Sequence, residues 1–236
     1  MASHTAAVFE ELSGLECIKD YCLIGGTALA LQLGHRLSED LDFCRWKTQE
    51  NERISVDWPG IETELSRLGR VSRNLLDHNQ CDFNLNGVKL TFYDNNISMA
   101  PTGLVKQDFL NNIRIADKTS IGIMKIEVML RRYNFRDYYD IYAILKDGAS
   151  LKDLVEGAGK YSRHRLKTRD MFTMLVKGEN FAADNHIPVL QPKYRVNAND
   201  IERFLTDEIK KMNEKKLRAA QAIEKKDHKK SRGMSF

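Results

Sequence analysis

The sequence predicts an α+β fold, with a mixed sheet-and-helix half over residues 1–118 and a helical half over residues 119–236. Three observations carry that expectation. Asn86-Gly87 sits between two strand-like runs, the strongest short-range signal for a hairpin. YCLIG (21–25) is short, apolar and closed by glycine, and a helical segment follows at once, as expected of a buried strand feeding a helix. Beyond residue 118 helical spacing dominates.

Each element follows in order. AAVFEELSGL reads as a helix ending near Gly14, and TALALQLG as about two helical turns stopped by Gly34. DLDFC alternates polar and apolar residues, so it reads as a strand with one wet face. GIETELSRLG places Ile61, Leu65 and Leu68 at helical spacing between glycines. QCDFNLNGVKLTFYDN is the hairpin. SIGIMKIEVMLRRYNFRDYYDIYAILKDG divides into two helices near Asn134, the second closed by Gly148, and 150–180 is helical as well. NHIPVLQPKYRVNAND reads as a connection, after which Asn199 or Asn197 caps a last helix from about 200 to 226. The chain shows no internal repeat.

The totals bound the function. A chain of 236 residues with 42% hydrophobic and 30% charged content can bury a core as one large domain or two modest ones. No apolar run approaches the roughly 20 residues of a membrane span, and the N-terminus lacks the pattern of a secretory signal. Cys17, Cys22, Cys44 and Cys81 show no CxxC spacing, so they read as small reduced core residues of a cytoplasmic protein rather than a zinc site. Lys210 to Arg232 holds ten Lys/Arg against three Asp/Glu, a balance of +7, which leaves the rest of the chain near −3 within the total of +4. A polyanion such as RNA could be held by that tail (210–232), or the tail is a solvated helix.

Chemistry concentrates in LIGGTALALQLGHRLSEDLDFC (23–44). On a strand Asp40 and Asp42 project to one side, their Cα atoms roughly 6.5–7 Å apart, close enough to reach a common ion. Neighbouring carboxylates repel, and a bound cation relieves them; oxygen ligands suit Mg²⁺. A solvated strand face has the same pattern. Gly25-Gly26-Thr27 lies where a strand turns into a helix, a place where open amides and the helix N-terminus favour phosphate, with Thr27 as cap or phosphate ligand. A plain turn is the alternative. His35, Arg36 and Ser38, between the two features, offer donors and positive charge for phosphates, or belong to a surface loop.

GGTALALQLGHRLSEDLDF resembles the signature of the AbiEii/AbiGii toxin family of nucleotidyltransferases, a branch of the DNA polymerase β-like superfamily. Gly26-Thr27 and Asp40-x-Asp42 stand at the family's motif positions. A second match lies in IMKIEVMLRRYNFRDYYDIYAIL, where the family carries a helix lysine and a later aspartate; Lys125 and Asp140 fit. Together these motifs span roughly residues 20–145.

The resemblance implies a polymerase β-like core over residues 1–118 and a helical domain contributing Lys125 and Asp140. It implies an NTP substrate, with GTP and CTP as candidates, and Mg²⁺ on Asp40 and Asp42. Gly25, Gly26 and Thr27 would cradle the triphosphate, Lys125 would compensate its charge, and Asp140 would act as base, orienter or metal support. It further implies the toxin of a bacterial toxin–antitoxin pair, with a cognate antitoxin as partner and tRNA or other RNA among the acceptors. Read without the resemblance, Lys125 is a snorkelling surface lysine, and Asp137 caps a helix start.

One departure stands out. Many polymerase β-like enzymes place a third carboxylate on a later strand, where VKLTFYD offers only Asp94 at its end, with Asp82 on the strand before. A catalytically silent NTP-binding module is therefore one competing reading; an RNA-binding protein in which the basic tail dominates and the acid pair is structural is another.

Overall fold

The computed structural model describes residues 1–163, 165–181 and 184–232, with side chains beyond Lys215 described only at Arg218. In the first half α1 (Ser3–Leu12) precedes β1 (Cys22–Ile24), α2 (Gly25–Leu33) and β2 (Leu41–Trp46). Then come α3 (Trp58–Leu65), β3 (Val71–Leu76), β4 (Gln80–Leu85), β5 (Val88–Asn95), β6 (Lys106–Leu110) and β7 (Ile113–Ala116). The second half holds α4 (Lys118–Met129), α5 (Phe135–Lys146), α6 (Leu151–Tyr161), α7 (Thr168–Leu175) and α8 (Ala198–Arg232). The fold is α+β, as the sequence predicts.

Local chemistry explains most boundaries. Gly34 takes φ 57° and returns its N–H to Ala30, a left-handed stop that glycine enters freely. Asn86 (φ 52°) and Gly87 (φ 90°) supply the positive φ values of the β4–β5 turn. Asp117 and Asn134 cap α4 and α5 through their side chains. Asn197, not Asn199, caps α8: it accepts from the Asp200 N–H while Asp200 accepts from its own N–H, a reciprocal box.

The seven strands form one mixed sheet in the order β3-β4-β5-β2-β1-β7-β6. β1 runs antiparallel to β2, while β2–β5 and β1–β7 are parallel. Opposed residues share a face, so register sets what the sheet presents. One row reads Ile24, Asp42, Thr91, Asp82, and the next Cys22, Cys44, Tyr93, Gln80.

The sheet is larger than the sequence predicts, because β3 and β6 carry little alternation of their own and β7 is only four residues long. The segment 150–180 is helical as expected, as the two helices α6 and α7; the connection before α8 contains a 3-10 turn (Ile187–Leu190), and α8 extends to Arg232.

Apolar side chains from both halves share one cluster, in which Phe43 and Phe92 stack with ring centroids 5.2 Å apart. α4 and α6 approach closely at two glycines: a Cβ on Gly122 would lie 2.8 Å from Leu154 Cδ2, and one on Gly157 would lie 2.3 Å from Ile123 Cδ1. Cys22, Cys44 and Cys81 are buried, and burial pushes the Cys22 thiol up to about 11. Among the described residues no helix is long and apolar enough to cross a membrane.

Candidate active site

Between the sheet and the α4–α5 region lies a cleft of about 540 Å³. Its walls include Gly25, Gly26, Arg36, Ser38, Asp40, Asp42 and Lys125, which together bring the glycine turn and the acid pair to one place. Asp40 immediately precedes β2, and Asp42 is the second residue of that strand. Leu41 and Phe43 are buried on the other face.

The glycines are required by contact as well as by conformation. Gly25 has φ +73°, and a Cβ there would lie 2.6 Å from Asp42 Oδ2. A Cβ on Gly26 would lie 2.6 Å from Arg36 Nη2 and 3.0 Å from Ser38 Oγ. The turn therefore packs a carboxylate against one glycine and a guanidinium and hydroxyl against the other. Both glycines belong to the first turn of α2 rather than to a loop before it.

Burial, and then the charge on Asp40, raises the Asp42 carboxyl above its ordinary range, against the opposing pull of Lys125, Lys89 and the Thr91 hydroxyl. A cation would relieve both causes. Among the described residues no group of three or more His, Cys, Asp and Glu is placed to hold a metal. Mg²⁺ nonetheless takes one or two carboxylates and completes its shell with water and substrate phosphates, a donor set that this pair fits.

Behind the cleft wall lies a buried ionic cluster. Asp140 has no exposed surface. It accepts two hydrogen bonds from Arg36, at 2.8 Å from Nε and 2.9 Å from Nη2, and one at 2.7 Å from His35 Nε2. Lys125 Nζ lies 2.7 Å from Asp140 Oδ2 and 2.8 Å from Asp137 Oδ1, and Arg132 Nε donates to Asp137 Oδ2 at 3.1 Å. Burial alone would raise the Asp140 carboxyl, but Lys125 and Arg36, with the hydrogen bonds from His35 and Arg36, hold it well below the usual carboxylate range. Burial depresses His35 more than Asp140 raises it, so the ring is neutral and its Nε2–H donates to the carboxylate. His35 Nδ1 is buried without a partner.

Several sequence expectations change. Thr27, His35 and Asp140 do not reach the cleft wall. The Thr27 hydroxyl donates to the Asp40 carbonyl, tying α2 to the acid-bearing segment instead of meeting phosphate. His35 and Arg36 are buried, which removes the surface-loop alternative. Lys125 is buried too, so it is no snorkelling surface residue, and its ammonium is shared between two carboxylates. Asp137 engages Lys125 and Arg132, while Asn134 makes the cap. Asp94 is paired with Arg45 at 2.5 Å and Asp82 with Lys89 at 3.0 Å, so the position beside Asp42 on β5 belongs to Thr91.

Sequence reading missed Lys89, Thr91, Tyr93 and Tyr161, all of which line the cleft. The alternation of VKLTFYD does place the first three on one face; their pairing with β2 is the information that a local pattern lacks.

A family model described as "Nucleotidyl transferase AbiEii toxin, Type IV TA system" matches residues 13–75 and 96–231. The whole β4–β5 hairpin falls between the matched parts. "Uncharacterized protein aq_aa25" of Aquifex aeolicus (strain VF5) is 29% identical over 146 residues, which is 61% of this chain and 68% of that protein. The crystal structure of JHP933 from Helicobacter pylori aligns over 93% of this chain and 98% of its own, at 17% identity and a TM-score of 0.50, a likeness of fold alone.

Proposed function

The chain belongs to the AbiEii family of nucleotidyltransferase toxins of type IV toxin–antitoxin systems, and from that premise we propose that its cleft moves a nucleotidyl group from an Mg²⁺-bound NTP to an acceptor hydroxyl. The hydroxyl oxygen replaces the β-phosphate on the α-phosphorus, with pyrophosphate leaving and the hydroxyl proton released. The observation that supports this reading is the close approach of Asp42 to Gly25 and of Arg36 and Ser38 to Gly26, which suits a phosphate cradle beside a carboxylate pair.

In this reading Asp40 and Asp42 hold the metal, while the open amides of Gly25 and Gly26 receive the triphosphate with Arg36 and Ser38 beside them. Bound Mg²⁺ supplies neutralisation of phosphate charge and activation of the attacking oxygen. Lys125 adds positive potential at the wall. Asp140 works from behind as an orienter: its bidentate grip on Arg36 and its contact with Lys125 fix both cations without reaching substrate. Thr27 and His35 have the same supporting character. The domain division at residue 118 gives each half a part, the first carrying the acids and the second Lys125 and the cleft's opposite wall. An antitoxin is the expected protein partner, GTP and CTP are the nucleotides of choice, and RNA is the proposed acceptor, held by the basic stretch 210–232.

The test is transfer of label from each α-labelled NTP, with Mg²⁺ and total bacterial RNA, comparing wild type with Asp40→Asn. Label appearing in RNA only with intact Asp40 supports the enzyme. Thr91 in place of a third carboxylate favours one second reading, a module that binds NTP without turnover. That module would show saturable NTP binding and no pyrophosphate release with any acceptor.

A further inference from the structure

We propose that Tyr161 reads the nucleobase: its hydroxyl donates to a carbonyl oxygen on the base, which selects cytosine, uracil or guanine over adenine. This rests on the NTP reading of the cleft and adds the base subsite to it.

Tyr161 is the last residue of α6 and lines the cleft. Its phenolic oxygen receives Trp46 Nε1 at 3.2 Å and Asn95 Nδ2 at 2.8 Å. Both roles are forced. An indole N–H can only donate. The Asn95 amide is fixed because its Oδ1 accepts from the backbone N–H groups of Ile97 at 3.0 Å and Ser98 at 2.9 Å, which leaves its NH₂ facing Tyr161. A phenol accepting two hydrogen bonds has one proton left to give. Among the described residues Tyr161 donates it to no acceptor. Burial raises this phenol far above its ordinary range, so the proton stays on the oxygen at neutral pH.

The strand register sets the distance from the acids. Asp42, Cys44 and Trp46 face one side of β2, opposite Thr91, Tyr93 and Asn95 on β5. Gly25 follows β1 at the Asp42 end. The order along the cleft is then glycine turn, acid pair, Cys44 with Tyr93, and the Trp46–Asn95 row under Tyr161. A nucleotide lies along that line as triphosphate, ribose and base. Four residues at about 3.3 Å each separate Asp42 from the last row by roughly 13 Å, the scale of a ribose and base. At the exocyclic position guanine and the pyrimidines offer an oxygen that accepts the Tyr161 proton, whereas adenine offers an amino donor there and keeps its acceptors on ring nitrogens, so the selection rests on the hydroxyl meeting the projecting exocyclic group.

The experiment measures binding of Mg²⁺ complexes of the four NTPs, and of inorganic tripolyphosphate, to the full-length protein. Wild type should bind at least one carbonyl-bearing nucleotide tenfold or more tightly than ATP. Tyr161→Phe should weaken that nucleotide about tenfold while leaving ATP and tripolyphosphate unchanged. Asn95→Asp keeps the tyrosine but gives its proton an internal acceptor, so it should lose the same selectivity, and it serves if Tyr161→Phe fails to fold. Wild type that does not discriminate against ATP, or variants that keep their selectivity, overturn the assignment and leave Tyr161 as a tie between Trp46 and Asn95. Failure of tripolyphosphate to bind wild type overturns the NTP reading itself, and the base subsite with it.

Discussion

Asp140 is the residue on which the site's cations depend. It holds Arg36, Lys125 and the neutral His35 with no exposed surface. Replacing it by asparagine leaves two buried cations facing a neutral amide, which costs about 3–5 kcal/mol by the usual penalty for breaking a buried pair. Urea unfolding of Asp140→Asn should show that loss. The pH dependence has a definite sign. The Asp140 carboxyl lies lower in the folded protein than in the unfolded chain, so its stabilisation is complete above the ordinary carboxylate range and declines as pH falls below it. Burial depresses His35 as well, so its part begins to fade as pH falls through about 6.5. Wild type should therefore lose stability on acidification, and Asp140→Asn should flatten the limb below about pH 4. Parallel curves there would remove Asp140 as the cause. Gly25→Ala tests the other side of the wall. A left-handed alanine costs about 1–2 kcal/mol, and its Cβ meets Asp42 Oδ2. Nucleotidyl transfer should fall by far more than the modest drop in melting temperature explains; retained transfer would mean that Gly25 does not set the position of Asp42.

Elements differ in how much of their neighbourhood is local, and that decided what could be read from the sequence. The β4–β5 hairpin was legible because Asn86-Gly87 specifies a turn within a few residues. The α2 stop at Gly34 and the α5 start at Asn134 were legible for the same reason. β3 was not, since its residues are mostly exposed and carry no alternation, and β7 is four residues long with a parallel partner, β1, far away in sequence. The site divides the same way. Gly25, Gly26, Asp40 and Asp42 lie close together in the chain, whereas the partners of Lys125, Asp137 and Asp140, depend on how α4 meets α5. The α4–α6 contact gives an element-scale prediction. Gly157→Ala gains about 1 kcal/mol of helix propensity, yet its Cβ would lie 2.3 Å from Ile123 Cδ1 in a packed, buried setting. Overpacking costs about 1–3 kcal/mol, so the net change should be destabilising by about 1 kcal/mol, read by calorimetry. A stabilised variant would show that Ile123 can swing aside.

At the scale of the whole molecule, charge and packing separate along α8. Ile201 and Leu205 are buried, and Phe204 and Ile209 pack against the core, so the first turns of the helix belong to the fold. Within the basic stretch, side chains at 216, 217 and 219–232 lie outside the described residues. Seven Lys/Arg lie beyond residue 215, and the RNA contact proposed for them is electrostatic. A chain ending at Lys215 should keep its melting temperature, because the core contacts named above all precede that point. Its affinity for RNA should fall, and the logarithmic slope of affinity against salt should shrink by about 0.7 for each single-strand phosphate contact removed. Transfer of label to RNA should then suffer at physiological salt and recover at low salt, where the remaining charges are less screened and bind more strongly. Binding of Mg²⁺–NTP should not change, since the cleft lies on the sheet and α4. A truncated protein with an unaltered salt slope would move the RNA contact off the tail, and the arginines at the cleft rim, Arg131 and Arg132, would be the next residues to test.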